Sequence, residues 1–247
     1  MVWLAAAGPA LADPPSKEFW PEIDTWLRLS PAWRLSLFIP IAENTPLSGL
    51  ITYWVIETLA AEMGDWLRAN PDARISINIP PEILGRGGVM YAAEKSGLTE
   101  LAPQIILEIT ERGVPDLLGI NALNLAGEIG CQIALDDATF VSGANLALLT
   151  RSHINIIKLD RSLVSQIGLE CPSPEWLGGI TAMLGSSGLE VIAEGVETEQ
   201  QALTLRKANI QMAQGFFFSR SISAADFIAY HRDAPHSWPT QPLHLTG

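Results

Sequence analysis

Two adjacent carboxylates, Asp136 and Asp137, end the apolar run in the stretch IALDDATFV, residues 133 to 141. Like charges side by side at the end of a buried strand repel each other, so a compensating charge must lie nearby. Five further polar residues stand at equivalent places in other short apolar runs. They are Asn78 in RISINIP, Glu108 in QIILEIT, Lys158 in INIIKLD, Glu194 in EVIAEGV and Gln214 in MAQGFFF. With a period of two, Asn78, Glu108, Asp136, Lys158 and Glu194 fall on the strand face opposite their aliphatic neighbours, and Gln214 lies near the middle or end of its run. Carboxylates and a carboxamide are hard oxygen donors that suit Mg²⁺ or Mn²⁺. An Asp-Asp pair can bridge two ions, Asp136 shared and Asp137 on the second. Two such ions, roughly 3.5–4 Å apart, clamp the attacking and leaving oxygens of a phosphoryl displacement. Lys158 fits as the electrostatic partner of a metal-bound hydroxide or a phosphate oxygen. Taken singly, each residue has a plainer reading: a solvated glutamate, a simple Lys158–Asp136 pair, an Asn78 turn before Pro80, a Gln214 that satisfies loop backbone. Their recurrence, one per strand at successive strand ends, favours a shared site.

The elements that would carry these residues follow a rhythm. Apolar runs recur at 73–80, 104–110, 131–138, 154–160, 189–196 and 212–218. Between them lie segments with helical spacing, such as GVMYAAEKSGL, GINALNLAGEIG, WLGGITAMLGSSG and EQQALTLRKAN. Strands alternating with helices predict βαβ units and a parallel sheet. Gly130 and Gly188 close two of the helices as left-handed caps would. Six repeats in a chain of this size favour an α/β (β/α)8 TIM-like barrel, whose strand C-termini meet at one mouth. The runner-up is an open doubly wound sheet, for which no GxGxxG or P-loop speaks. Upstream, residues 48–69 read as a long amphipathic helix, and FWPEIDTWLRL (19–29) and WRLSLFIPIAE (33–43) offer the remaining strands, incomplete or remodelled. Residues 1–18 read as a leader or the stump of an upstream segment, 19–231 as the barrel and 232–247 as an irregular tail.

The chain has 247 residues, 48% of them hydrophobic and 17% charged, which predicts a sizeable core. A formal net charge of −12 disfavours binding to long nucleic acid or an anionic membrane, but not to a small anionic ligand held through a metal. The only two cysteines, Cys131 and Cys171, form no CxxC or zinc spacing and read as reduced thiols of a cytoplasmic protein, with membrane tethering through an upstream segment as the alternative. A spanning helix needs about 20 apolar residues, and no segment supplies them.

The segments LEITE (107–111), ALDD (134–137), IIKLDRSLV (156–164), VIAEGVET (191–198) and AQGFFFSR (213–220) resemble the EAL domain family of cyclic di-GMP phosphodiesterases, as do FIPIAE (38–43) and INIPPEIL (77–84). The resemblance runs from about residue 20 to 228. It implies that Asn78, Glu108 and Asp136 hold a first metal, and Asp136, Asp137 and Glu194 a second, both Mg²⁺ or Mn²⁺. It implies that Lys158 contacts the catalytic water, with Lys158 and Glu194 catalytic. Glu111 would steady the loop after the Asp pair, and Glu197 and Gln214 would support metal and substrate. The implied reaction cuts one phosphodiester of cyclic di-GMP to give linear pGpG, and the implied assembly is a homodimer formed through the region after the Asp pair.

Three features depart from the pattern. The Glu-Ala-Leu tripeptide is absent; the nearest match is DTWLR (24–28), where Asp24 would replace the glutamate and Arg28 would contact phosphate. The first strand, usually carrying Gln-Pro, has no counterpart in residues 1–18. The loop after the Asp pair reads ATFVSGA (138–144) in place of Phe-Gly-Thr-Gly, which alters its dihedral freedom. These departures keep open a second function: a catalytically impaired domain that binds cyclic di-GMP as a receptor, or an interaction module.

Overall fold

A computed structural model describes residues 45, 47–110, 116–138, 152–168, 173–210, 212–218 and 222–233. Within them, six strands form one sheet in sequential order, and every neighbouring pair is parallel. They are β1 (Ile75–Asn78), β2 (Ile105–Thr110), β3 (Gln132–Ala138), β4 (Ile156–Leu159), β5 (Glu190–Ala193) and β6 (Met212–Ala213). The helices are α1 (Leu47–Ala69), α2 (Gly88–Ser96), α3 (Leu117–Glu128), α4 (Arg161–Val164), α5 (Glu175–Ser187), α6 (Glu199–Lys207) and α7 (Ala224–Asp233). This is the α/β (β/α)8 pattern expected, a curled sheet seen over six of its strands. The stretches 19–29 and 33–43, expected to complete it, lie outside the described residues. One expectation needs correction. MAQGFFF is strand only over Met212–Ala213, and Gly215 then turns the chain, because its Cα lies against the Val196 backbone.

Local chemistry sets the ends of the helices. Thr198 caps α6, accepting from Gln201 N–H at 3.2 Å while the Gln201 side chain accepts from Thr198 N–H at 3.1 Å, a reciprocal capping box. Asp116 caps α3 by accepting from Gly119 N–H. Gly188 ends α5 in the left-handed conformation, and Gly130, just past α3, also has a positive φ.

The two faces of the sheet do different work. Outward, Ile75, Ile77, Ile105, Leu107, Ile109 and Ile133 pack against Ile51, Val55, Ile56, Leu59, Met63 and Leu67 of α1 and against Leu123 of α3. A second outer cluster joins Ile157, Leu159, Val191 and Ala193 to α5 and α6 through Leu177, Ile180, Ala202 and Leu205. Inward, the register stacks three layers. At the N-terminal end, Arg74 Nη1 donates to Gln132 Oε1 at 2.6 Å and to Glu190 Oε2 at 2.9 Å, tying the starts of β1, β3 and β5 together. Above it Ile106, Ala134, Ile156, Ile192 and Met212 form a buried apolar layer. The third layer, at the C-terminal ends, is polar. No helix among the described residues is long and apolar enough to cross a membrane.

Gln104 joins helix and sheet. It is buried, and its Nε2 faces the carbonyl oxygens of Leu67, Asn70 and Ala73 at 2.8–3.1 Å, so one amide serves the last turn of α1 and the entry to β1. Gln104→Leu removes these donors and leaves buried acceptors unmatched, a loss of about 1–3 kcal/mol. Urea denaturation should show a lower midpoint of that size, with the sheet signal in circular dichroism retained.

Candidate active site

The inward residues of β2, β3, β4 and β5 converge at the C-terminal ends of the strands. Lys158 lies third in β4, and its Nζ is 2.7 Å from Glu108 Oε2, 3.0 Å from Asp136 Oδ1 and 2.5 Å from Glu194 Oε1. Glu108 and Lys158 are each 2% exposed. The apolar layer beneath shields the cluster from solvent on that side. Glu194 follows β5, where its N–H donates to Leu159 O, and Gln214 follows β6, where its N–H donates to Ala193 O. Gln214 Nε2 donates to Glu194 Oε1 at 2.5 Å, which brings β6 into the same network. Asn78 pairs with Glu108 in the register of β1 and β2 and stands half-buried at the end of its strand.

The paired aspartates occupy an irregularity. Leu135 pairs with Ile157 and Ala138 with Leu159, so two residues of β3, Asp136 and Asp137, stand opposite the single Lys158. This is a β-bulge, a device found beside active sites because it re-aims side chains and ends regular pairing. It breaks the period of two at the residues where strict alternation would send the two carboxylates to opposite faces. The bulge went unforeseen, although two consecutive acids at a strand end are its available signal.

The EAL domain family model matches residues 26–221. The chain belongs to the EAL domain family. It is 32% identical over 216 residues to the probable cyclic di-GMP phosphodiesterase PdeB of Escherichia coli, covering 85% of this chain and 40% of that protein. It is also 32% identical over 209 residues to the cyclic di-GMP phosphodiesterase NbdA of Pseudomonas aeruginosa, covering 80% of this chain and 26% of that protein. The chain therefore spans well under half of these relatives. Among solved structures, the EAL domain of Mycobacterium smegmatis DcpA superposes with a TM-score of 0.62 at 31% identity, over 74% of this chain and 84% of that one. The PaMucR phosphodiesterase in complex with c-di-GMP superposes with a TM-score of 0.67 at 26% identity, over 78% and 80%.

Of the residues singled out in sequence, this EAL domain brings Glu108, Asp136, Lys158, Glu194 and Gln214 into one network and sets Asn78 beside it. Glu197 is exposed, and its backbone N–H donates to Gln201 Oε1; it does not join the contacts around Lys158. Glu111, Asp24, Arg28 and the loop 139–144 lie outside the described residues, as does the Asp137 side chain.

Among the described residues of the EAL site, carboxylates outnumber cations. Burial works against the Lys158 ammonium, but Glu108, Asp136 and Glu194 outweigh it and hold the lysine well above its usual range. Burial lifts Glu194 to about 7, against the pull of Lys158 and with a further push from Asp136. Burial likewise raises Glu108, opposed by Lys158 and reinforced by Asp136. Among the described residues one ammonium thus serves three carboxylates, and burial, with mutual repulsion, favours the protonated forms of Glu108 and Glu194.

The all-oxygen donor set fits a divalent hard cation, which would relieve that shortage. Among the described residues no three acidic, imidazole or thiol groups stand ready as a cage, because Lys158 occupies the point where the carboxylates meet. An ion held here would share the carboxylates with Lys158.

A carboxylate whose folded pKa exceeds its unfolded value costs stability as it ionises. In the presence of EDTA, the cost of Glu194 should be absent near pH 4.5 and grow up to and beyond pH 7, by roughly 3 kcal/mol at most. Unfolding free energies of the parent protein and Glu194→Gln should therefore diverge in favour of the variant as pH rises through that window.

Proposed function

We propose that this domain hydrolyses cyclic di-GMP to linear pGpG with the help of two Mg²⁺ or Mn²⁺ ions. The observation that carries the reading is the buried Lys158 ammonium held by Glu108, Asp136 and Glu194 at the mouth of the barrel. Strongly perturbed charged groups of this kind cluster at functional sites. The names of PdeB and NbdA, and the nucleotide in the PaMucR complex, supply the substrate class. In this reading Asn78, Glu108, Asp136, Asp137 and Glu194 hold the ions, which supply a polarised water and neutralise phosphate charge. Lys158 orients that water and faces the developing negative charge. Gln214 fixes the Glu194 carboxylate through its short hydrogen bond. Glu111 and Glu197 act as supports of the neighbouring loops. The domain extends over about residues 19–231, works in the cytoplasm and pairs with a second copy through the region after the Asp pair.

A second reading is a receptor that binds cyclic di-GMP and cuts it poorly. The absence of a Glu-Ala-Leu tripeptide and the ATFVSGA loop favour it. One assay separates the two. The purified chain is incubated with cyclic di-GMP and Mg²⁺ or Mn²⁺, and pGpG is followed by chromatography. Product that disappears with EDTA supports the enzyme; binding without product supports the receptor. For the enzyme, Glu194→Gln and Asp136→Asn should each lower kcat at least about a hundredfold with the circular dichroism spectrum unchanged. Near-parental turnover in both variants would show that the site is misplaced.

A further inference from the structure

Glu194 stands one residue past the end of β5, at the start of a connection rather than in regular pairing. The connection 194–198 is held at three places. Glu194 N–H donates to Leu159 O at 3.1 Å, at the end of β4, and Val196 N–H donates to Gln214 O at 3.0 Å, just past β6. The third anchor is Gln201, in the first turn of α6. Its Oε1 accepts from Glu197 N–H at 2.8 Å and from Thr198 N–H at 3.1 Å.

Capping α6 accounts for only part of this. A capping box asks its third helical residue to accept from the N-cap N–H alone. Gln201 also takes the N–H of Glu197, the residue before the cap, and its Nε2 faces Val164 O at 3.4 Å, at the end of α4. Beside it, Gln200 Nε2 donates to Gly168 O at 2.9 Å. The two glutamines thus reach back to the segment that follows Lys158 and β4. Val164, Ile167 and Val196 are buried with Ala202 and Leu205 of α6 in the same outer cluster. Gln201 is 7% exposed, so its amide does not give up these partners without cost.

We propose that Gln201 is a positioning residue for Glu194: by anchoring the connection after β5, it fixes where the carboxylate stands against Lys158 and Gln214. The assignment rests on the reading of this site as a phosphodiesterase centre. Gln201 acts through the backbone of Glu197 and Thr198, a few residues along the chain from Glu194. The Glu194 carboxylate meets Lys158 Nζ and Gln214 Nε2 at 2.5 Å each, and contacts this short tolerate little displacement of the backbone that carries them. A shift of about 1 Å in a group at a reacting centre costs roughly a hundredfold in rate.

The test compares the parent with Gln201→Leu, Gln201→Glu and Asp116→Ala, the last of which removes the cap of α3. KM and kcat are measured by chromatography of pGpG with Mg²⁺, and exchange of the Glu194 and Val196 amide protons is followed by NMR in EDTA. Gln201→Leu should lower kcat at least about tenfold with KM within about threefold. It should also speed exchange at both amides at least about tenfold. Gln201→Glu keeps an oxygen for the two N–H groups and should recover kcat to within about threefold. Asp116→Ala should lower the urea midpoint and leave kcat within about twofold. Parent-like kcat or parent-like exchange in Gln201→Leu would overturn the positioning role and leave the functional reading intact. So would an equal fall of kcat in Asp116→Ala, since that marks general loss of stability, and so would a Gln201→Glu variant that recovers nothing. Absence of pGpG from the parent would overturn the functional reading and this assignment with it.

Discussion

One buried ammonium holds the mouth of this sheet together. Lys158 contacts carboxylates carried by β2, by β3 and by the end of β5, so a single charge links four strands at the level where their backbone pairing ends. Removing an ammonium from water costs several kcal/mol, and removing the carboxylates costs more. The arrangement stands because the attraction acts over 2.5–3.0 Å in a medium that the layer of Ile106, Ala134, Ile156, Ile192 and Met212 keeps dry. Deleting Lys158 would remove the one cation that all three carboxylates meet among the described residues, whereas deleting one carboxylate leaves two of these contacts. The lysine is thus the asymmetric element of the network, and the strands are arranged around it.

The interior offers an internal comparison. Arg74, Gln132 and Glu190 also form an ionic cluster inside the sheet, at the opposite end. There one guanidinium meets one carboxylate and one neutral amide, both charged side chains keep about a third of their surface in water, and the formal charges cancel. Such a cluster closes the floor of the sheet and asks for nothing further. At the mouth the side chain of Lys158 is 3% exposed and the carboxylates outnumber it. The two clusters share a sheet and a chemistry. They differ in balance, and the imbalance marks the end where a ligand is expected.

Much of this was legible in the sequence because it depends on local periodicity. The alternation of aliphatic and polar residues in RISINIP, QIILEIT and INIIKLD is imposed by a sheet with one face on the helices and one inside, and it puts Glu108 and Lys158 on the same face, where they meet, with Asn78 opposite Glu108 in the register. The helices at 88–96, 117–128, 175–187 and 199–207 follow from spacing and caps. What escaped is what periodicity cannot encode. The bulge at Asp136–Asp137 is a departure from the period of two, visible only against the partner strand. The Arg74 floor joins residues separated by 58 and 116 positions. The turn at Gly215, hidden in an apolar run that looks like strand, is forced by the approach of Val196 from another βα unit.

The surplus of negative charge has a cost to the fold, and that cost is informative. Buried carboxylates that gather protons weaken the folded state wherever they are forced to ionise. Replacing Glu194 by glutamine would remove that cost at the expense of one ion pair to Lys158, while Gln214 could still pair with the carboxamide. The described residues keep three acids around one base, and the irregularity that sets Asp136 and Asp137 opposite Lys158 interrupts the sheet beside them. A divalent cation at this mouth would offset these costs, because it would supply the positive charge that the described carboxylates lack. The excess of acid over base at this end of the sheet is the physical feature that sets it apart from the balanced Arg74 floor.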